Sequence, residues 1–192
     1  MAATESTMLG LGTPAPDFAL PEVARHRTVR LSGLTGRGLL VMFLSPHCPY
    51  VKHIAPGLAA LARDYAASGL DIVAISSNDA VQYPDDSPDS LRSMAEELGF
   101  WFPYCYDETQ QIAKAYQAAC TPDFFLFDAA RKLVYRGQFD GARPKNDVPV
   151  TGRDLRAAID AVLSGDAVSA QQRPSIGCNI KWKPGNAPAY FR

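Results

Sequence analysis

Cysteine is scarce in this chain, with only four among 192 residues. Secreted domains that depend on disulfides for stability carry a much higher proportion, so the sequence is not a disulfide-stapled scaffold. A chain of this length can bury a hydrophobic core of its own without disulfide or metal support. The cysteines are therefore better explained by chemistry than by scaffolding, and the search for a functional site begins with them.

An excess of charge of either sign is also missing. Lysine and arginine total 19, aspartate and glutamate total 20, and the formal net charge is -1. Electrostatic binding to nucleic acids or to anionic membranes requires a basic excess. We therefore expect no nucleic-acid partner and no membrane partner.

Long apolar segments are lacking as well. The longest uninterrupted apolar run is Leu39–Leu44, whereas a membrane-spanning helix needs about 20 apolar residues. The segment 1–19 contains Glu5 and Asp17, and it lacks the basic start and apolar stretch of a secretory signal. The expected location is the cytoplasm, where thiols stay reduced unless they take part in catalysis.

The order of predicted elements indicates an α/β protein with a mixed central sheet and helices on both faces. Continuous apolar runs predict buried strands at Leu39–Leu44 and Leu70–Ser76. Apolar residues spaced three and four apart predict a helix from Val51 to Tyr65. Runs at Phe124–Phe127 and Lys132–Phe139 predict an antiparallel hairpin.

The remaining elements are predicted from helix and turn signals. We expect a helix at 88–98, a short strand at 101–106, and a helix from the N-cap Asp107 to about Tyr116. Thr151 and Asp154 resemble a capping box for a last helix. Residues 1–170 are then one domain, and residues 171–192 form an irregular tail packed on it.

Cys48 stands where the first buried strand passes into the first helix. Unpaired N–H groups and the positive end of the helix dipole stabilise a thiolate there and lower its pKa. His47 and Lys52 add positive potential, and Pro49 suits the first turn of the helix. Cys48 is therefore the predicted nucleophile; the alternative is a small apolar residue at a strand end.

This segment is similar to the active-site region of the thioredoxin-like superfamily, with Cys48 at the position of the attacking cysteine. The stretch Ala119-Cys-Thr-Pro-Asp-Phe-Phe-Leu-Phe-Asp128 resembles the loop and strand that carry a cis-proline beside the reactive sulfur. The resemblance implies that Pro122 is this proline and that Thr121 presents its backbone to the substrate.

Two further segments extend the resemblance over residues 14–186. They are Pro-Ala-Pro-Asp-Phe at 14–18 and Pro-Ser-Ile-Gly-Cys-Asn-Ile-Lys-Trp-Lys-Pro-Gly-Asn at 174–186. With them, the chain resembles the AhpC/TSA-related, peroxiredoxin-like thioredoxin family proteins of bacteria. The family resemblance implies a thioredoxin-like fold, an antioxidant or thiol-exchange activity, and no metal or other cofactor.

One departure from the thioredoxin pattern shapes the mechanism. Val51 occupies the position of the second thioredoxin cysteine, so Cys48 lacks a local disulfide partner. An oxidised Cys48 can condense with another cysteine or with a small thiol such as glutathione. Cys178 in the tail is the first candidate partner and Cys120 the second, while Cys105 is predicted to pack in the core.

Several other residues are weaker candidates. Ser45 could imitate the hydroxyl that positions peroxide in peroxiredoxins, or could simply bind the local backbone. Arg143 could approach the thiolate, and His53 is predicted to be solvated. The aspartates at 85, 86 and 89 are predicted to form a solvated acidic surface. A copper site is not expected, because no second cysteine lies within ligand spacing of Cys48.

These features predict a thiol-dependent oxidoreductase in which the Cys48 thiolate attacks a peroxide or a disulfide. Cys178 or an external reductant of the thioredoxin or glutathione type then completes the turnover. Disulfide exchange and peroxide reduction both remain open. The alternative from another class is a non-catalytic thioredoxin-fold module that binds a protein partner or a metal. A homodimer is a candidate assembly.

Overall fold

A computed structural model describes residues 3–25 and 27–191. Its strands are β1 (Ala3–Glu5), β2 (Ala19–Pro21), β3 (Thr28–Arg30), β4 (Gly38–Phe43), β5 (Leu70–Ser76), β6 (Tyr104–Tyr106), β7 (Cys120–Thr121), β8 (Asp123–Phe127), β9 (Leu133–Gly137) and β10 (Ile176–Asn179). Five of them form the central sheet in the order β6-β5-β4-β8-β9. Strands β5 and β6 run parallel to β4, whereas β8 is antiparallel to β4 and β9 is antiparallel to β8.

Helices cover both faces of this sheet. They are α1 (Pro49–Asp64), α2 (Pro88–Glu97), α3 (Gln111–Ala115) and α4 (Arg153–Ser164). Apolar residues of α1, α2 and α4 pack on one face, and Ala113 of α3 packs on the other with Tyr116. Within the described residues, none of the helices has the length and apolar character to cross a membrane. The predicted mixed α/β architecture is confirmed.

Strand β4 is the centre of the fold because its alternate side chains enter opposite cores. Leu40 and Met42 belong to the core under α1, and Val41 and Phe43 belong to the other. All four side chains are almost completely buried. Because side chains alternate along a strand, only a strand covered on both faces can be apolar throughout. This burial fixes the end of β4, from which the chain turns toward Cys48.

The tail is more regular than its sequence predicts. Strand β10 lies between β1 and β7 in a small antiparallel sheet, so the prediction of an irregular segment is wrong over Ile176–Asn179. Its partners are residues 3–5 and 120–121, far away in the chain. A local sequence pattern does not reveal such long-range pairing. The tail is thereby packed onto the domain.

Three predicted boundaries are also wrong. Strand β6 begins at Tyr104 rather than Trp101, and α3 begins after Gln110, with the Asp107 carboxylate accepting the Ala113 N–H at 3.0 Å. The predicted capping box of α4 does not form, because Gly152 is its N-cap. The carboxylate of Asp140 takes its place.

Asp140 binds the start of α4. Its buried carboxylate accepts the N–H groups of Thr151 at 2.7 Å and Gly152 at 2.6 Å. The Thr151 hydroxyl is exposed and only accepts the Arg153 N–H at 3.3 Å. Removing a partner from buried donors costs about 1–3 kcal/mol. The N-terminus of α4 is therefore fixed by tertiary structure.

We predict that Asp140→Ala lowers the free energy of unfolding by about 1–3 kcal/mol, since the N–H groups of Ala142, Thr151 and Gly152 lose their acceptor. Thr151→Ala is the matched control and should change it by less than about 0.5 kcal/mol. Urea denaturation followed by circular dichroism measures both. A larger loss in Thr151→Ala than in Asp140→Ala contradicts this assignment.

Candidate active site

Cys48 lies at the N-cap of α1, directly after the loop that follows β4. Its side chain is fully buried, and its sulfur lies 3.1 Å from the carbonyl oxygen of Thr121. The Thr121–Pro122 peptide bond is cis, as the family resemblance implied. The two segments that the sequence placed at one site are therefore in contact.

Cys178 reaches the same place from the tail. In the antiparallel pair of β10 with β7, Cys178 is opposite Thr121, whose carbonyl oxygen lies 3.1 Å from the Cys48 sulfur, and its thiol and backbone N–H lower the pKa of Cys48. On its other side β10 pairs with β1, where Ala3 is opposite Cys178. Only 3% of Cys178 is exposed. Both thiols are thus enclosed by the protein.

Gly177 makes this approach sterically feasible. A Cβ atom at this position would lie 2.0 Å from the carbonyl oxygen of Thr121 and 2.6 Å from its carbonyl carbon. Any larger residue would therefore push β10 away from the cis-peptide turn and move Cys178 with it. Gly177 was not predicted as a site residue from the sequence. A glycine immediately before a candidate cysteine does, however, indicate a close approach of two backbone segments.

Hydrogen bonds divide the two thiols into a thiolate and a thiol. The pKa of Cys48 is lowered to about 5, first by the Cys178 thiol, against the opposing effect of burial. The Thr121 hydroxyl and the N–H groups of Val51 and Cys178 lower it further. The pKa of Cys178 is raised because its proton is bound by Cys48 and because it is buried. The pair therefore holds one proton, on Cys178.

This division defines the chemical roles. A thiolate, and not a thiol, is the attacking species in sulfur chemistry. The strongest effects on Cys48 come from hydrogen-bond donors, and the predicted charges of His47 and Lys52 are not among them. The Thr121 carbonyl oxygen contacts the reactive sulfur, and its buried hydroxyl contributes to the lowered pKa of Cys48.

A buried carboxylate stands behind Cys48. Asp86 is fully buried, and its oxygens accept hydrogen bonds from Ser45 Oγ (2.8 Å), His47 Nδ1 (2.6 Å) and Asn78 Nδ2 (2.6 Å). The prediction of a solvated acidic surface is wrong for Asp86 and holds for the exposed Asp85 and Asp89. A charge run shows which residues are acidic, but it does not show which of them turns inward.

Ser45 and His47 serve this carboxylate. The fully buried Ser45 hydroxyl donates to Asp86, so it neither binds the local backbone nor contacts Cys48. The hydrogen bond to Asp86 raises the pKa of His47, and the hydrogen bonds from His47, Asn78 and Ser45 lower the pKa of Asp86 despite its burial. Both pKa shifts favour the pair of imidazolium and carboxylate.

Asn78 ties this cluster to the tail. Its Nδ2 donates to Asp86, and its Oδ1 accepts the N–H of Lys181 at 2.8 Å. The buried Gln110 side chain holds the tail beside it, donating to the Lys181 carbonyl at 2.9 Å and accepting the Lys183 N–H at 2.9 Å. Neither Asn78 nor Gln110 was predicted as a site residue from the sequence. The position of Asn78 just after the carboxyl end of a buried strand is the local signal that could have indicated it.

The other predicted candidates lie elsewhere. Cys120 is buried with its sulfur directed at the carbonyl oxygens of Pro122 and Ser175, and burial raises its pKa well above the usual value. The Arg143 guanidinium binds Asp140, Ala142 and Gln138 rather than Cys48.

Cys105 lies away from Cys48, in the hydrophobic core. Cys105 packs in the core opposite α1, and burial raises its pKa to about 12. Among residues 3–25 and 27–191, no three or more His, Cys, Asp or Glu side chains are grouped to hold a metal ion.

The AhpC/TSA family model matches residues 11–136, which include Cys48 and the cis-proline turn. The chain belongs to the AhpC/TSA family. The match ends before the tail, so Cys178 lies outside the part that it covers. Cys178 therefore comes from a segment beyond the matched region.

Individual relatives agree with this assignment. The chain is 30% identical over 125 residues to the thiol-disulfide oxidoreductase ResA of Geobacillus kaustophilus, covering 65% of this chain and 67% of that protein. It superposes on an uncharacterized conserved protein from Geobacillus kaustophilus with a TM-score of 0.94 at 55% identity, covering 96% and 98% of the two chains.

A more distant structure shows the fold. The thioredoxin domain of a thiol-disulfide oxidoreductase from Bacteroides vulgatus gives a TM-score of 0.58 at 17% identity, covering 77% of this chain and 96% of that one. The fold is thioredoxin-like, as predicted. Together with the family match, these similarities confirm the predicted class, a thiol-dependent oxidoreductase.

We predict that the alkylation rate of Cys48 follows an apparent pKa of about 5. In Cys178→Ala the pKa of Cys48 should rise toward the usual value of about 9, because the Cys178 thiol is the largest cause of its lowering. Cys120→Ser is the control and should leave the pKa low. Iodoacetamide rates between pH 4 and 10, with mass-spectrometric localisation, provide the measurement. An unchanged pKa in Cys178→Ala contradicts the shared proton.

We further predict that Gly177→Ala raises the pKa of Cys48 and slows disulfide formation with Cys178, since the new Cβ displaces β10. Gly33→Ala is the control, because a Cβ there meets no atom within 4 Å. The same alkylation profile and non-reducing mass spectrometry measure the effect, with circular dichroism to verify folding. Wild-type behaviour of a folded Gly177→Ala protein shows that the close approach is unnecessary.

Proposed function

We propose that this protein is a two-thiol oxidoreductase in which Cys48 attacks an oxidised substrate and Cys178 resolves the product. The observation that carries the proposal is the placement of Cys178 opposite Thr121, whose carbonyl oxygen lies 3.1 Å from the Cys48 sulfur, together with the opposite pKa shifts of the two thiols. The opposite pKa shifts of the two buried thiols determine which of them reacts first. Cys48 reacts first because it alone is a thiolate.

With a disulfide substrate, the first step is exchange. The Cys48 thiolate attacks one sulfur, a new S–S bond forms, the substrate S–S bond breaks, and one thiol leaves after taking up a proton. This consumes the negative charge that holds the proton of Cys178, so the main cause of its raised pKa disappears. Cys178 can then deprotonate and act in turn.

The second step closes the internal disulfide. Cys178 loses its proton to water and attacks the Cys48 sulfur, and the second half of the substrate leaves as a thiol. An external reductant of the thioredoxin or glutathione type then donates two electrons and two protons and restores both thiols. One substrate disulfide is reduced for each pair of reductant thiols oxidised.

A peroxide substrate fits the same pair. The Cys48 thiolate attacks one peroxide oxygen, the O–O bond breaks, and an alcohol or water leaves after protonation. The resulting sulfenic acid condenses with Cys178, releasing water and forming the same disulfide. This antioxidant activity is the second candidate function.

Enclosure of the site favours small substrates in both reactions. The exposed fraction of Cys48 is 0% and that of Cys178 is 3%. Strand β10 already occupies the edge of β7 next to the cis-proline turn. A folded protein disulfide can reach the sulfur only when the tail moves, whereas peroxides and small disulfides are compact. We therefore propose small oxidised molecules as substrates.

We predict that one equivalent of oxidised glutathione or hydrogen peroxide converts the reduced protein to a Cys48–Cys178 disulfide. Cys178→Ser should stop at a glutathione adduct or a sulfenic acid on Cys48, and Cys48→Ser should form neither. Cys120→Ser is the matched control and should behave as wild type. Peptide mass spectrometry identifies each product, and reduction of insulin disulfides, run in parallel, should be slower.

The outcome separates the alternatives. Turnover with oxidised glutathione alone identifies a disulfide oxidoreductase, and turnover with peroxide alone identifies a peroxidase. An inert Cys48 in the folded wild-type protein refutes the proposal and leaves the non-catalytic module. Faster reaction with insulin than with the small oxidants refutes the proposed size selection.

The proposal also includes a cytoplasmic location and a homodimer. A reducing compartment keeps both thiols ready for the first step. Cell fractionation tests the location, and sedimentation of the purified protein tests the assembly.

A further inference from the structure

We propose that His47 is a catalytic acid that protonates the group leaving from the substrate, and that Asp86 is the residue that positions it. The inference rests on the proposed function, because it assigns a proton source to the first step at Cys48. It rests on the arrangement of the buried carboxylate, the imidazole and the adjacent sulfur.

The ring of His47 is held from one side. Nδ1 lies 2.6 Å from the buried Asp86 Oδ2 and 3.2 Å from Ser45 Oγ. The ring stacks on Tyr83 with a centroid distance of 5.8 Å and an interplanar angle of 7°. Within the described residues, the hydrogen bonds of the His47 ring are all made by Nδ1. One ring nitrogen is thus fixed, and the other is left as a donor.

His47 lies next to Cys48 in the chain and faces a surface cleft. Its side chain is 15% exposed while Cys48 is fully buried. With Pro46 and Lys52 it lines this cleft, whose volume is about 630 Å³. In the proposed reaction the substrate approaches from this cleft and passes the imidazole. A proton lost from Nε2 can be replaced from water in the cleft.

The charges around His47 favour its protonated form. Asp86 and the Cys48 thiolate raise its pKa, burial and Lys181 lower it, and the net shift is upward. The same cleft carries Lys52 from α1, Asp85 from the 3₁₀ helix at 84–86, and the acidic groups Asp89 and Glu97 from α2. The cluster is arranged to keep a proton available beside an anionic nucleophile.

This proton has a defined use. When Cys48 attacks a disulfide, the leaving sulfur carries a negative charge, and an alkyl thiolate with a pKa of about 8.5 leaves faster if it is protonated. His47 Nε2–H gives its proton to that sulfur, and the neutral ring regains one from water. In a peroxide the leaving oxygen is more basic still. A leaving group that is already a weak base needs no proton.

The test compares electrophiles whose leaving groups differ in how much they need to be protonated. Single-turnover rate constants are measured with oxidised glutathione, with 5,5′-dithiobis(2-nitrobenzoate), which releases a weakly basic aromatic thiolate, and with iodoacetamide, which releases iodide. His47→Gln should react about 100-fold more slowly with oxidised glutathione. Its rates with the other two reagents should stay near wild type. His53→Gln, on the same helix and outside the site, controls for loss of a histidine.

The pH dependence adds a readout that a structural role would not change. In the wild type, the rate with oxidised glutathione should rise with Cys48 ionisation near pH 5 and fall at higher pH as His47 loses its proton. Iodoacetamide should show the rise and no fall. Asp86→Asn removes the charge that raises the pKa of His47, so the falling limb should move to lower pH. His47→Gln should abolish that limb.

Each result decides between these roles. Equal slowing of all three reagents in folded His47→Gln, or a wild-type profile without the falling limb, overturns the assignment of His47 and leaves the proposed function standing. A wild-type protein that reacts with iodoacetamide but with neither a disulfide nor a peroxide overturns the proposed function together with this inference. Circular dichroism of every variant establishes that it is folded.

Discussion

The antiparallel contact of β10 with β7 is the interaction on which the site depends. It places Cys178 opposite Thr121 and against the Cys48 sulfur, and so supplies the strongest single cause of the thiolate. A helix N-terminus alone gives a cysteine a modest advantage. Here that advantage is completed by a thiol donor from the other end of the chain. The way the tail folds onto the domain consequently determines the reactivity of Cys48.

The tail is held by polar contacts in addition to the apolar packing of Ile180 and Trp182. Asn78 and Gln110 bind backbone groups of residues 181 and 183, and Ser175 Oγ donates to the Pro122 carbonyl at 2.6 Å. Such bonds have geometric requirements, so they fix the register of β10 and therefore which residue faces Cys48. Asn78 also binds Asp86, and the same amide thus supports both the partner thiol and the acid cluster.

The sequence predicted what local patterns and family motifs encode. The apolar strand β4, the cysteine at the start of α1 and the cis-proline turn were all recognisable from short segments. What it could not supply depends on distant pairing: the strand formed by Ile176–Asn179, the inward turn of Asp86, and the binding of α4 by Asp140. In each case the deciding partner lies elsewhere in the chain, and local propensity carries no information about it.

The order of the segments along the chain has a consequence for synthesis. Strand β10 is translated after Cys48 and after both of its partner strands, at residues 3–5 and 120–121. A nascent chain that has not yet reached residues 176–179 therefore carries Cys48 without Cys178 beside it. During that interval we expect Cys48 to have only the modest acidity of a helix-capping cysteine.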